Sequence, residues 1–183
     1  MGLFQKIWAL LTRKKYNPVD LSKQKGDAFE NYVVQKFDRA YFALKDMRSD
    51  KGVKGFYPES NTYPDLTLEY KPARQRFAVE CKWRQHWQTR SNGSAFINWA
   101  GGTTKEKGLQ KIQNYANYAD TQKMPVFVVI GIGGTAERPK DLYVVPLNAL
   151  KSPFVDRPYL TQFQRRDLSR NFFFDAKKLS LTL

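Results

Sequence analysis

The chain has 183 residues, 42% hydrophobic and 15% aromatic, which is enough to bury a core and excludes a disordered composition. Its 31 lysines and arginines against 17 acidic residues leave a net charge of +14, which points to a polyanionic partner, either nucleic acid or an anionic membrane surface. One cysteine, Cys81, and one histidine, His86, exclude an intrachain disulfide, a Cys-rich zinc site and the common His-based metal sites.

No apolar run reaches the roughly 18 residues of a transmembrane helix. Residues 1–15, MGLFQKIWALLTRKK, place Leu3, Phe4, Ile7, Trp8, Leu10 and Leu11 on one side of a helical wheel, followed by Arg13, Lys14 and Lys15. This basic amphipathic helix or arm fits packing on the domain or on a partner subunit, and it also fits a membrane interface. Gln5 and Lys6 interrupt the apolar run, so a signal peptide is not expected, and Lys6 stands where a myristoylation signal needs Ser or Thr. The cysteine usage fits a reducing compartment. The expected location is therefore cytoplasmic, with peripheral membrane attachment through residues 1–15 as its variant.

Residues 20–183 are expected to form one domain, with a core over about 26–147 and a C-terminal extension over 148–183. A helix is predicted from Gly26-Asp27 to about Leu44, with Phe29, Val33, Val34, Phe37, Ala40, Tyr41 and Leu44 in one apolar arc. Residues 46–63 read as loop, with a short strand near Gly55–Tyr57. Asp65–Tyr70 and Phe77–Arg84 alternate as strands around the turn Lys71–Gln75, an antiparallel hairpin. Residues 85–104 read as a long loop, Glu106–Thr121 as a helix, Val126–Ile132 as a fully buried strand and Asp141–Leu147 as another strand. The fold class is α/β: a mixed central sheet with an antiparallel hairpin, flanked by helices.

The hairpin register concentrates charge. With the turn centred on Pro72-Ala73, Asp65 faces Glu80, and opposed residues share a face with Cβ atoms about 5 Å apart. Lys82 lies one step along the same face. Two carboxylates so placed repel unless a cation sits between them. A register one residue longer would set Leu66 beside Glu80 and spoil the facial match. Glu30 falls near the middle of the apolar arc of the first helix, where a buried carboxylate needs a partner. Two readings fit it: service to the same charged patch, or a capping box with Asp27.

Pro64-Asp65, then Glu80-Cys81-Lys82 in a hydrophobic strand, then a helix, resembles the signature of the PD-(D/E)XK superfamily of restriction-endonuclease-like and Holliday-junction-resolvase-like nucleases. Glu30 in GDAFENYVVQKF resembles the first acidic motif of that superfamily. The resemblance spans about Gly26 to Ile132. It implies a restriction-endonuclease-like core and an Mg²⁺-dependent endonuclease acting on DNA, with Mn²⁺ as the alternative ion. Asp65, Glu80 and the backbone carbonyl of Cys81 would hold the ion. Lys82 would orient the attacking water, and Glu30 would position a metal-bound water or a second metal. The superfamily often carries a Gln on the following helix; here Gln110 and Gln113 both qualify, beside Tyr115 and Tyr118.

Arg84, Trp87, Arg90, Trp99, Lys105 and Lys111 interleave aromatic and basic residues, as a nucleic-acid groove would. The alternative is tryptophans in the core and charges in solvent. DNA is the expected partner, with a homodimer and a membrane surface as further partners to test. The rival classes are an inactive DNA-binding module of the same fold and a membrane-surface protein working through residues 1–15. The intact Asp65, Glu80 and Lys82 favour the enzyme.

Overall fold

The computed structural model describes residues 18–47 and 63–182. The expected N-terminal helix and the strand near Gly55–Tyr57 lie outside the described residues. Helix α1 spans Pro18–Val34. It therefore begins well before Gly26 and stops well short of Leu44, which corrects both expected boundaries. Its end has a local cause. Past Val34 the N–H of Phe37 bonds the Val34 carbonyl in a tighter turn, and the Asp38 side chain accepts from Ala40 N–H at 2.8 Å. The Asp38 carbonyl then takes both Tyr41 and Phe42 N–H groups. Aspartate competes with the helix by such local bonds. The chain leaves as strand β1 (Phe42–Met47), and Tyr41 and Leu44 are exposed rather than in an apolar arc.

Strand β2 (Leu66–Tyr70) follows, then a 3-10 turn over Lys71–Ala73 closed by Arg74 in the left-handed conformation at φ 50°, then β3 (Gln75–Arg84). Leu66 opposes Val79 and Tyr70 opposes Gln75, which is the register expected from facial matching. The segment expected to be a long loop instead carries β4 (Gln88–Thr89) and β5 (Ala95–Asn98). Short strands with little alternation and many glycines and asparagines around them hide a sheet from sequence patterning. Helix α2 (Lys105–Gln122) starts from Thr104, whose hydroxyl caps Lys107 N–H. Strands β6 (Val126–Ile132) and β7 (Asp141–Pro146) follow, then β8 (Phe154–Asp156), the short helix α3 (Arg157–Thr161), β9 (Phe173–Asp175) and β10 (Ser180–Thr182).

The central sheet is mixed, in the order β1-β2-β3-β6-β7, with β3 and β6 parallel and the other pairs antiparallel. β4, β5 and β8 form a separate small sheet. This is a mixed α/β fold with a hairpin in its sheet and helices against it. Every residue of β6 is buried, because both faces of the sheet are covered. One face packs Phe29 and Val33 of α1 and Phe174 and Leu181 of the C-terminal hairpin against Leu66, Phe77, Val79 and Phe127. The other packs Tyr115 and Tyr118 of α2 and Ile97 of the small sheet against Ala78, Val128 and Ile130. At Gly131 of β6 a Cβ would stand 2.5 Å from the Phe29 ring, so glycine lets α1 lie tightly over the sheet. That contact sets the height of Glu30 above β3. Among the described residues, no helix is long and apolar enough to cross a membrane.

Candidate active site

β3 runs past the end of β2. Leu66 opens β2 opposite Val79, so from Glu80 onward that edge of β3 has no pairing strand among the described residues. Backbone groups along a strand alternate between its two edges. The Arg84 carbonyl accepts from Gly133 N–H beyond the end of β6. By alternation, the N–H and carbonyl of Cys81 therefore face the vacated edge. Asp65, one residue before β2, places Oδ2 there and accepts from Cys81 N–H at 2.8 Å.

Glu80 projects to the α2 face and is 1% exposed. Its Oε1 accepts from the Tyr115 hydroxyl of α2 and pairs with the Lys82 ammonium. Its Oε2 is buried with no hydrogen-bond partner among the described residues. Lys82 Nζ also lies 3.8 Å from Asp65 Oδ2, so one cation stands between the two carboxylates. Burial opposes the charge on Lys82, yet Glu80 and Asp65 override it and hold the ammonium above the ordinary lysine range. Burial first, and the Glu80 carboxylate next, push Asp65 up to about 7. The Cys81 thiol is buried and pushed well up by that burial. Only the Cys81 backbone is thus available for site chemistry.

Glu30 is half-buried on α1, and burial, then Asp65, then Asp27 push it up to about 8. Because α1 begins at Pro18, Asp27 is inside the helix and pairs with Lys23 at 3.6 Å. A capping box at Asp27 is ruled out. Glu30 lines a pocket of about 720 Å³ with Asp65, Cys81 and Lys82. Ser22, Lys23, Lys25, Gly26 and Asp27 of α1 and Trp83, Arg84 and Gln85 complete the lining, while Glu80 sits behind it. A second, more apolar pocket of about 700 Å³, between α2 and the Val126–Pro146 end of the sheet, holds none of these groups.

The other candidates divide. Gln110 and Gln113 are exposed, and each amide bonds the asparagine one turn on, Asn114 at 3.0 Å and Asn117 at 2.8 Å. Neither reaches the carboxylates. From the same helix Tyr115 does, and half-buried Lys111 lies near enough that burial and Lys82 together lower its pKa. Lys111, Tyr115 and Tyr118 follow helical spacing, and that spacing is the signal that could have singled them out. Arg84 is not free for nucleic acid: its guanidinium donates to the carbonyls of Trp83, Asn98 and Trp99. Trp99 is fully buried, and its Nε1 donates to the Ser152 carbonyl at 2.8 Å. Trp87 is half-buried, edge-on to Tyr143 and covered by Arg157. Arg90 lies over Phe96 and pairs with Asp156 at 2.8 Å, and Lys105 is exposed at the start of α2. The interleaved groove expected over these residues is therefore mostly core and surface pairs. Besides Arg84, the basic residues that line the pocket with Lys82 are Lys23 and Lys25, in a stretch expected to precede the first helix.

Among the described residues, no group of three or more His, Cys, Asp and Glu side chains is placed to hold a metal ion. The oxygen donors present are nonetheless of the right kind. Two carboxylates and the Cys81 carbonyl are hard ligands, the set a small divalent cation takes with retained waters. Buried Glu80 keeps one oxygen without a partner, and Lys82 stands where a cation would compete for the others.

No protein-family model matches the chain, and no curated protein matches it. Among solved structures it resembles Archaeoglobus fulgidus Hjc, a Holliday junction resolvase from an archaeal hyperthermophile, with a TM-score of 0.47 and 15% identity over 75% of this chain and 93% of that one. At that similarity the function rests on the site itself.

Proposed function

We propose that the protein is a metal-dependent nuclease of the PD-(D/E)XK type that hydrolyses phosphodiester bonds in DNA. The observation that carries this reading is Lys82, which stands between Asp65 and Glu80 at the open edge of β3, with Glu30 lining one pocket with Asp65 and Lys82. Asp65, Glu80 and the Cys81 carbonyl would hold Mg²⁺ or Mn²⁺. Such an ion lowers the pKa of its bound water and polarises the phosphate. Lys82 places a positive charge where negative charge grows on the scissile phosphate, in a site shielded enough for that charge to count. Glu30, which lines the same pocket, would position a metal-bound water or a second ion. Tyr115 holds the Glu80 carboxylate in place from behind. The net charge of +14 favours a polyanionic substrate.

The test is cleavage of plasmid, linear, single-stranded and branched DNA with Mg²⁺ or EDTA. Cleavage should need the ion. Lys82→Ala and Asp65→Ala should each lower the rate by orders of magnitude while circular dichroism stays that of the parent. Activity that survives EDTA, or both substitutions, would remove the site from the reaction.

A further inference from the structure

We infer that Gly26 is where the sugar-phosphate backbone of the substrate lies against α1; this rests on the nuclease reading above. Every other described glycine has a reason internal to the fold. Gly93, Gly101, Gly102, Gly133 and Gly134 take positive φ. At Gly108 and Gly131 a Cβ would fall 2.5 Å from the Pro153 and Phe29 side chains. Gly26 has neither reason. It sits inside α1, its φ is not positive, and among the described residues no atom beyond the adjoining helix backbone lies within 4 Å of the place its Cβ would take. Within a helix, glycine is less stable than alanine, because it loses more backbone freedom on folding. Among the described residues no packing contact of Gly26 offsets that disadvantage.

The surroundings of Gly26 supply the need. Gly26 and Glu30 are four residues apart and share one side of α1, and both line the pocket that holds Asp65 and Lys82. Lys25 is exposed beside it, with Nζ 5.6 Å from the centre of the Trp83 ring on the opposite wall. A bare stretch of helix next to a lysine, one turn from the reacting groups, lets an anionic strand come close to the wall. A side chain at position 26 would hold that strand away from Glu30 and Lys82. Glycine serves the same purpose wherever a chain must approach a ligand closely.

The experiment compares full-length wild type with Gly26→Ala and Gly26→Leu. It measures thermal midpoint, affinity for a labelled DNA duplex, and KM and kcat with Mg²⁺. Gly26→Ala should raise the midpoint by about 2–4 °C, the gain of a better helix former in a chain of this size. It should weaken DNA binding roughly tenfold, a cost comparable to one good contact. KM should rise by more than kcat falls, and Gly26→Leu should bind more weakly still. A lowered midpoint for Gly26→Ala would mean an internal packing role and overturn the inference. So would wild-type affinity in both variants of an active enzyme, and in that case the nuclease reading would stand. If wild type neither binds nor cleaves DNA, the nuclease reading fails and takes this inference with it.

Discussion

Asp65 and Glu30 are held at about 7 and about 8, against ordinary values of 3.8 and 4.5, by burial and by the crowding of carboxylates around one lysine. The folded protein therefore keeps protons on these groups to higher pH than the unfolded chain does. Linkage sets the sign: the stability they contribute is present below about pH 4 and is lost as the pH rises through 7 and 8. In EDTA the urea midpoint of wild type should fall over that span relative to Glu30→Gln and Asp65→Asn, and both variants should be the more stable at pH 8. Parallel curves for wild type and variants would contradict the raised values. Mg²⁺ should narrow the difference between wild type and variants at pH 8, because a bound cation relieves the same crowding of carboxylates. The convergence of Asp65 and Glu80 on Lys82 was legible in the sequence because hairpin register follows from alternation, although Asp65 stands one residue before the paired strand. Their pKa shifts were not, since these depend on how much protein closes over them.

Helix α2 shows how an element sorts its own residues. Its sequence offers two glutamines and two tyrosines, all at plausible positions, and side-chain chemistry alone does not rank them. Docking on the sheet turns Lys111, Tyr115 and Tyr118 inward and leaves Gln110 and Gln113 bonded to their own helix. Tyr115→Phe should remove a hydrogen bond to a buried carboxylate, worth about 1.5–3 kcal/mol, and should lower cleavage. Gln110→Ala and Gln113→Ala, at exposed positions, should stay within about 0.5 kcal/mol of wild type and cleave normally. Urea denaturation and initial rates on the three variants check this. A large loss at either glutamine with none at Tyr115 would reverse the assignment. Past Val34 the expected apolar arc of α1 held Phe37, Ala40, Tyr41 and Leu44, of which only Phe37 is in the core, while Phe42, outside that arc, is the core residue that opens β1. Period alone does not distinguish a helix from a helix and strand that share one core.

Across the whole molecule, the C-terminal extension is part of the main core. Phe174 stacks on Phe77 at 4.7 Å between ring centres, and Phe77 belongs to the hairpin that carries Glu80 and Lys82. Phe172 and Leu181 pack into the same cluster. Phe174→Ala should destabilise the protein by about 3–5 kcal/mol, the usual cost of emptying a buried aromatic site, as measured by urea unfolding at pH 7. A loss under about 1 kcal/mol would show that the extension is only loosely attached.

By itself the sequence determined the hairpin and its register, the buried strand Val126–Ile132 and the meeting of Asp65, Glu80 and Lys82. Alternation and β-branched runs are local rules that survive in any context. Tertiary structure decided the rest. It placed Glu30 well inside a helix that starts at Pro18, moved Trp99 and Arg84 from groove to scaffold and chose Tyr115 over the glutamines. Each of these depends on which face of an element meets which neighbour, and no local pattern of residues contains that information.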